Sequence, residues 1–188
     1  NGVSENLREE SGYLTKQHYI NVIQEQANEM DILVHKMLDF SKLETDSAKL
    51  NIKSFNIKTE LENIAKKYND ISSKNIIVTA DDKEIFADKE LMELVFENLI
   101  ENAVKYSKDN SDIKISFANN NFNISNECDE ISKKDLKKIW KPYNRLEKDE
   151  EVRGTGIGLS IVKHILKLHR IKPYTEYSGG RLIIGFYI

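Results

Sequence analysis

Two segments of the 188-residue sequence combine residue types and spacings that could carry chemistry. In the first, residues 154–159, three glycines spaced two apart stand directly before an apolar pattern of helical period. Glycine lets the backbone lie against a ligand because no Cβ is in the way. A helix that begins there points free N–H groups and the positive end of its dipole at the same place. We therefore predict an anion site with a nucleotide phosphate as its ligand.

The second segment, residues 98–106, carries two amides and a lysine on a helical pattern. Asn98 and Asn102 are four residues apart and therefore share one face of a helix. Their neutral oxygens suit Mg²⁺, which prefers a few protein oxygens together with water and phosphates. Lys105 follows on that face and can meet phosphate charge, and the Tyr106 ring can lie beside a base. A solvated polar face is the alternative, but the apolar neighbours predict a largely buried helix.

The spacing of the apolar residues predicts the helices and strands that position these two segments. Residues 13–43 hold an apolar heptad seam for three repeats, which is typical of a helix in a bundle or oligomer. Short strands and helices then alternate, with Asp88 and Ser132 as helix N-caps and residues 119–121 as a hairpin turn. This order predicts an α+β fold, a two-layer α/β sandwich with helices on one face of a sheet, preceded by a long helix.

Composition narrows the class of protein. Hydrophobic residues make up 39% and the net charge is −3, so the chain can form a core and has no strong field of one sign. The scattered lysines give no indication of nucleic-acid binding. The single cysteine, Cys128, excludes an internal disulfide and fits a reducing compartment. No apolar run approaches the ~20 residues of a membrane span. Because the sequence opens at Asn1 without methionine, we expect it to be part of a longer protein.

In their order and spacing, the two segments resemble those of the sensor histidine kinases and, through them, of the wider gyrase-type ATPases. Residues 98–106 are similar to that family's N box, and residues 154–159 to its second glycine box. A lone glycine turn would not explain this pairing. Four further matches are weaker. They are an aromatic box at Trp140 and Tyr143, a basic residue at Arg145, the polar residue of the first glycine box at Asn126, and the end of the second dimerisation helix at residues 38–44. Trp140 and Tyr143 are explained nearly as well as core residues.

The resemblance implies a domain organisation and an activity. Residues 1–46 would be the remainder of a helical dimerisation and histidine-phosphotransfer domain, mainly its second helix, and residues 47–188 would be the ATP-binding catalytic domain. The activity would be transfer of the γ-phosphoryl group of ATP, with Mg²⁺, to a histidine, for relay to an aspartate of a cognate response regulator. The full-length protein would be a homodimer and a membrane-bound bacterial sensor. This chain would be its cytoplasmic portion, in contact with neither membrane nor nucleic acid.

The resemblance also assigns roles to single residues. Asn98 and Asn102 would hold Mg²⁺ and, with Lys105, form the catalytic set. Tyr106 would pack on the adenine, and Asn126 would accept a hydrogen bond from its amino group. The residues implied in ATP binding are Asn98, Asn102, Lys105, Tyr106, Asn126, Arg145, Gly154, Thr155, Gly156, Ile157, Gly158 and Leu159.

The acceptor histidine of the family belongs to a Ser-His-Glu-like box that this sequence lacks. We expect it upstream of Asn1, and we expect this chain not to phosphorylate itself. The four histidines of the chain are predicted to be surface or rim residues: His18, His35, His164 and His169.

Two other functions compete with the kinase. A degenerate nucleotide-binding and dimerisation module without kinase activity is favoured slightly by Asn126, because the family usually has Asp there. An ATPase that drives a conformational clamp is disfavoured, because such proteins usually have a water-activating Glu where this chain has Asn98.

Overall fold

The computed structural model describes residues 19–21, 23–24, 34, 50–144 and 156–188. The chain divides into two compact units, residues 1–45 and 46–188. The described residues of the first unit are helical, and their apolar side chains are exposed at Tyr19, Ile20, Ile23 and Val34. The rest of the predicted heptad seam lies outside the described residues.

The described part of the second unit alternates strands and helices, as the sequence predicts. In chain order the elements are β1 (Ile52–Asn56), α1 (Ile57–Ile71), β2 (Ile76–Ala80), β3 (Glu84–Asp88), α2 (Lys89–Tyr106), β4 (Ile113–Ala118), β5 (Asn121–Glu127), α3 (Lys133–Lys138), α4 (Gly158–Leu168), β6 (Tyr174–Ser178) and β7 (Arg181–Tyr187). Among these described residues, no helix is long and apolar enough to cross a membrane.

Five strands form one sheet in the order β2-β4-β5-β7-β6, and β1 pairs with β3 in a separate antiparallel ribbon. The β2–β4 pair is parallel, and the other neighbours in the five-stranded sheet are antiparallel. Side chains of β5 alternate between buried and half-buried, so that one face of the sheet meets the helices. The predicted two-layer α+β sandwich is confirmed.

Aromatic side chains join the two layers. Phe96 of α2 lies on Phe122 of β5, with ring centroids 5.1 Å apart. Phe122 in turn stacks on Phe186 of β7 at 4.8 Å. All three rings are fully buried, and tilted or offset ring pairs at these distances add to the free energy gained from burial. This contact fixes α2 over the middle of the sheet.

Local signals in the sequence set several element boundaries. The Asp88 carboxylate accepts a hydrogen bond from the Leu91 N–H at 3.3 Å, and the Ser132 hydroxyl accepts one from the Asp135 N–H at 3.1 Å, so both predicted N-caps are present. Asn119 and Asn120 have φ of +52° and +63°, which suits a two-residue hairpin turn. Asn121 was predicted within the turn but begins β5, because it pairs with Ala118 across the hairpin.

Tyr68 of α1 lies close to carboxylates of α2. Burial, together with the nearby negative charges of Glu101 and Glu97, raises the pKa of Tyr68 from 10.0 to about 12. The charged phenolate is disfavoured in these surroundings. The folded protein therefore holds this proton more tightly than the unfolded chain does.

We predict that Tyr68 makes the fold sensitive to alkaline pH. Its contribution to the free energy of unfolding is fully present below pH 10.0 and is lost as the pH rises towards about 12. Tyr68→Phe should flatten the pH dependence of stability in this window, as measured by urea unfolding at several pH values. Tyr187→Phe, at an exposed ring, serves as the control, and equal slopes for the two variants would contradict the prediction.

Candidate functional site

Helices α2 and α4 lie side by side and run in opposite directions. At one end, the N–H of Asp88, the N-cap of α2, donates to Nε2 of His169 at the C-cap of α4, with 3.1 Å between the nitrogens. At the other end, Asn98 of α2 lies against Gly158, the first residue of α4, where an added Cβ would be 2.9 Å from Asn98 Oδ1. About 15 Å of each helix separates the two contacts.

The antiparallel packing places Asn102 in front of α4. Asn102 is one turn beyond Asn98 on the same face of α2, about 6 Å further along the axis. Because α4 begins opposite Asn98, Asn102 lies ahead of its N-terminus, towards which the first N–H groups and the positive end of the dipole point. Asn102 is half-buried. The amide segment and the second half of the glycine segment thus meet at one end of the sandwich.

Asn98 has a buried oxygen without an internal partner. The side chain is 5% exposed, and its Nδ2 donates to the Leu94 carbonyl at 2.7 Å. Its Oδ1 has no hydrogen-bond partner among the described residues. Leaving a buried polar atom unpaired costs about 1–3 kcal/mol. A bound cation, water or donor group of a ligand is the kind of partner that would satisfy this oxygen.

The N-terminus of α4 suits an anion. Its N-cap residue, Ile157, makes no side-chain capping bond. The preceding Gly156 has φ of +68°, a conformation that glycine adopts without strain. A Cβ at Gly156 would come within 3.1 Å of the Tyr143 backbone, whose N–H donates to the Gly156 carbonyl at 3.0 Å. Leu159 is half-buried. The remaining predicted ligands on this side, Arg145, Gly154 and Thr155, lie outside the described residues.

Strand β5 brings a second amide to the same end. Phe122 packs on Phe96, and five residues later the Glu127 carbonyl accepts from the N–H of Lys108, just past α2, at 2.9 Å. The strand and the helix therefore run in the same direction. Asn126, which is 5% exposed on the inward side of β5, consequently lies near the C-terminal end of α2, where Tyr106 is half-buried.

Lys105 is exposed and forms an ion pair within its own helix. Its Nζ lies 2.7 Å from Glu101 Oε1, one turn earlier. A surface pair of this kind is worth about 0–1 kcal/mol. The lysine can therefore exchange this partner for a phosphate at little cost.

Amide oxygens rather than carboxylates characterise this end of the sandwich. Within the described ranges, no group of three or more His, Cys, Asp or Glu side chains could hold a metal ion. A divalent cation here would depend on the oxygens of Asn98 and Asn102, completed by water and phosphate, which is the ligand chemistry that Mg²⁺ prefers.

Two residues that hold the ends of α2 and α4 in place make contacts that were not predicted from the sequence. Lys74, which is nearly buried, donates to the carbonyls of Ser107 and Lys108 at 3.1 and 2.9 Å and so caps the C-terminus of α2. His169, which is predicted to be a surface or rim histidine, is half-buried, and its ring is hydrogen-bonded at both nitrogens. Both residues act over long sequence separations, which periodicity does not reveal.

The two residues of the predicted aromatic box, Trp140 and Tyr143, differ in burial. Trp140 is half-buried, and its Nε1 donates to Thr175 Oγ1 of β6 at 3.4 Å. Tyr143 is 63% exposed and has φ of +59°, so the interpretation of Tyr143 as a core residue is wrong.

We predict that Gly158→Ala destabilises the protein. Alanine is preferred to glycine in helices by up to ~1 kcal/mol, but here its Cβ would press on an Asn98 amide that is buried and already bonded to Leu94. Overpacking of this kind costs about 1–3 kcal/mol. Urea unfolding measures whether the substitution lowers or raises the free energy of unfolding. Lys163→Ala, at an exposed position of α4, serves as the control. A Gly158→Ala variant as stable as the unmodified protein would refute the close contact.

Comparison with known proteins identifies the family. The sequence profile of the "Histidine kinase-, DNA gyrase B-, and HSP90-like ATPase" family matches residues 87–184, which include α2 and α4. The sensor histidine kinase ArsS of Helicobacter pylori is 31% identical over 112 residues, covering 60% of this chain and 24% of ArsS. The sensor protein RprX of Bacteroides fragilis is 27% identical over 185 residues, covering 89% of this chain and 35% of RprX. The chain thus spans about a quarter to a third of these relatives.

Solved structures share the fold. Full-length ShkA in complex with AMPPNP has a TM-score of 0.75 at 17% identity, covering 90% of this chain and 38% of ShkA. The histidine kinase ThkA in complex with the response regulator protein TrrA has a TM-score of 0.70 at 21% identity, covering 90% of this chain and 50% of that one. Since the family profile also matches half of the sequence, the chain belongs to the histidine kinase-, DNA gyrase B- and HSP90-like ATPases, and its second unit contains an ATP-binding catalytic domain of the sensor histidine kinase type.

Proposed function

We propose that this chain binds ATP with Mg²⁺ and supplies the catalytic part of a two-component sensor histidine kinase. The observation that carries the proposal is the meeting of two features at one end of the sandwich. The N-terminus of α4, where Ile157 makes no side-chain capping bond, can hold the phosphates, and the amide face of α2 ends directly in front of it. Neither feature alone would distinguish a nucleotide site from an ordinary helix end.

The proposed roles follow from position and chemistry. The backbone N–H groups around Gly158 contact the phosphate chain, and Asn102, with the oxygen of Asn98 behind it, holds the metal. Mg²⁺, when bound, would neutralise charge on the phosphates. Lys105 and Arg145 meet further phosphate charge. The adenine lies near the end of β5, where Tyr106 supplies an apolar ring and Asn126 a hydrogen-bond acceptor; glycine-box contacts extend over Gly154, Thr155, Gly156, Ile157 and Leu159.

The site is better suited to phosphoryl transfer than to hydrolysis. In transfer, a neutral histidine nitrogen forms a bond to the γ-phosphorus while the bond between that phosphorus and the bridging oxygen breaks, and ADP leaves. The protein's task in this reaction is mainly positioning and charge neutralisation. Hydrolysis by general-base catalysis needs a group that takes a proton from water, and the carboxamide of Asn98 is not a base. This argues against the alternative of an ATP-driven clamp.

Partners are proposed from the relatives and from the first unit. ThkA has been solved with the response regulator TrrA and ShkA with AMPPNP, which supports a response regulator and ATP as partners here. The apolar side chains of Ile20, Ile23 and Val34 are exposed in the single chain. Such a face on a helix favours burial against another helix, which supports a homodimer of the full-length protein. We also propose that this protein is a membrane-bound sensor, with residues 1–46 in its dimerisation domain.

We predict that the chain binds Mg-ADP and that Asn102→Ala weakens binding at least about tenfold, or about 1.4 kcal/mol. Isothermal titration calorimetry measures the affinity. Glu90→Ala, at an exposed position in the first turn of the same helix, should bind as the unmodified chain does. Absence of heat on titrating the unmodified chain would refute the proposed function.

We predict that the full-length protein gains an acid-labile, base-stable phosphate with Mg-ATP, the signature of a phosphohistidine, and that the 188-residue chain alone does not. The physical reason is that none of the four histidines in the chain stands in an acceptor box. Phosphate labelling of the full-length protein and of the 188-residue chain, each followed by acid and base treatment, tests both parts of the prediction. Nucleotide binding without any labelling of the full-length protein would favour the alternative, a degenerate nucleotide-binding and dimerisation module.

A further inference from the structure

We infer that His169 is a positioning residue for the nucleotide site, although it lies at the opposite end of α4 from the phosphates. Its ring bonds on both sides. Nε2 lies 3.1 Å from the Asp88 nitrogen, and Nδ1 lies 2.9 Å from the Ile165 carbonyl oxygen. A backbone N–H can only donate, so Nε2 accepts, and the ring proton is on Nδ1, from which it is donated to Ile165.

The group that His169 binds is itself fixed. The Asp88 carboxylate accepts from the Leu91 N–H at the start of α2 and from the Asn51 N–H at 2.8 Å. Asp88 is buried, at the junction of β3 and α2. The Asp88–His169 hydrogen bond therefore ties the C-terminal end of α4 to a point that three other segments hold in place.

This bond can set the register of the two helices because it is directional. The buried residues of α4 are mostly apolar: Ser160, Ile161, Val162, Ile165 and Leu166. Apolar contact is non-directional and by itself permits small shifts along the helix axis. At the N-terminal end of α4, a Cβ on Gly158 would be only 2.9 Å from Asn98 Oδ1. A shift of α4 along its axis by one residue would move Gly158 by about 1.5 Å, which is a large part of that distance. The register that His169 sets therefore determines the distance between Asn98 and the first residue of α4.

One test uses stability alone and so does not depend on the proposed function. His169→Phe keeps a ring but removes the acceptor. If the hydrogen bond fixes the register, losing it lets α4 move away from Asn98, and Gly158→Ala should destabilise the His169→Phe protein less than it destabilises the unmodified one. Urea unfolding of the four proteins in this double-mutant cycle measures the coupling. Additive effects would overturn the inference.

A second test rests on the proposed function. His169→Phe should weaken Mg-ADP binding about tenfold at a temperature where the protein is fully folded, equivalent to about 1.4 kcal/mol. His169→Gln should bind within about twofold of the unmodified chain, because a Gln amide oxygen can occupy the place of Nε2 and accept the same bond. Equal affinities for the Phe and Gln variants would overturn the inference, whereas no binding by the unmodified chain would overturn the proposed function and leave the stability cycle as the decisive test.

Histidine NMR of the unmodified protein supplies a test that does not require any variant to fold. We expect the His169 ring to be in the Nδ1–H form, identified by long-range nitrogen–proton couplings. A ring with its proton on Nε2 cannot accept from Asp88 and would overturn the inference regardless of the other results.

Discussion

The candidate site depends on the close approach of α2 to the first residue of α4. A side chain larger than hydrogen at Gly158 would collide with Asn98, so this position requires glycine for space and not for an unusual backbone conformation. The approach brings a carboxamide to a helix N-terminus that has no side-chain capping bond. The two features are complementary in the proposed site, since the N–H groups would attract an anion and the amide oxygens would attract the cation that accompanies it.

The described residues of the candidate site carry few charged side chains. The buried polar residues at this end of the sandwich include the neutral amides Asn98 and Asn126. Lys105, which is proposed to meet phosphate, is exposed and paired within its helix. Burying a carboxylate here would repel the phosphates and would cost desolvation energy. Neutral amides do not repel phosphate and cost less to bury than a charge, and the helix dipole supplies positive potential that needs no counter-ion. The arrangement fits a domain that must take up and release a highly charged ligand.

The sequence predicted those parts of the fold and site that are encoded locally. Asp88 and Ser132 stand before helical patterns and cap them, and the i,i+4 spacing of Asn98 and Asn102 put both on one face of α2. The contacts of Lys74 and His169 could not be predicted, because each joins residues far apart in sequence through a single side chain. The same holds for the burial of Asn98 Oδ1, which depends on how α4 packs. The metal ligands and the base contacts stay predictions, and Arg145, Gly154 and Thr155 lie outside the described residues.

The hydrogen bond between Tyr143 and Gly156 has an evolutionary consequence. Both residues have positive φ, and the bond brings together the two ends of the stretch between them. Once the ends are joined, the entropy of closing the stretch changes only slowly with its length, by about 0.6 kcal/mol for each doubling. Insertions or deletions between Arg145 and Gly154, which spare the residues proposed to contact phosphate, would therefore leave the start of α4 in place, so that the length of this stretch can change while the helix end keeps its position.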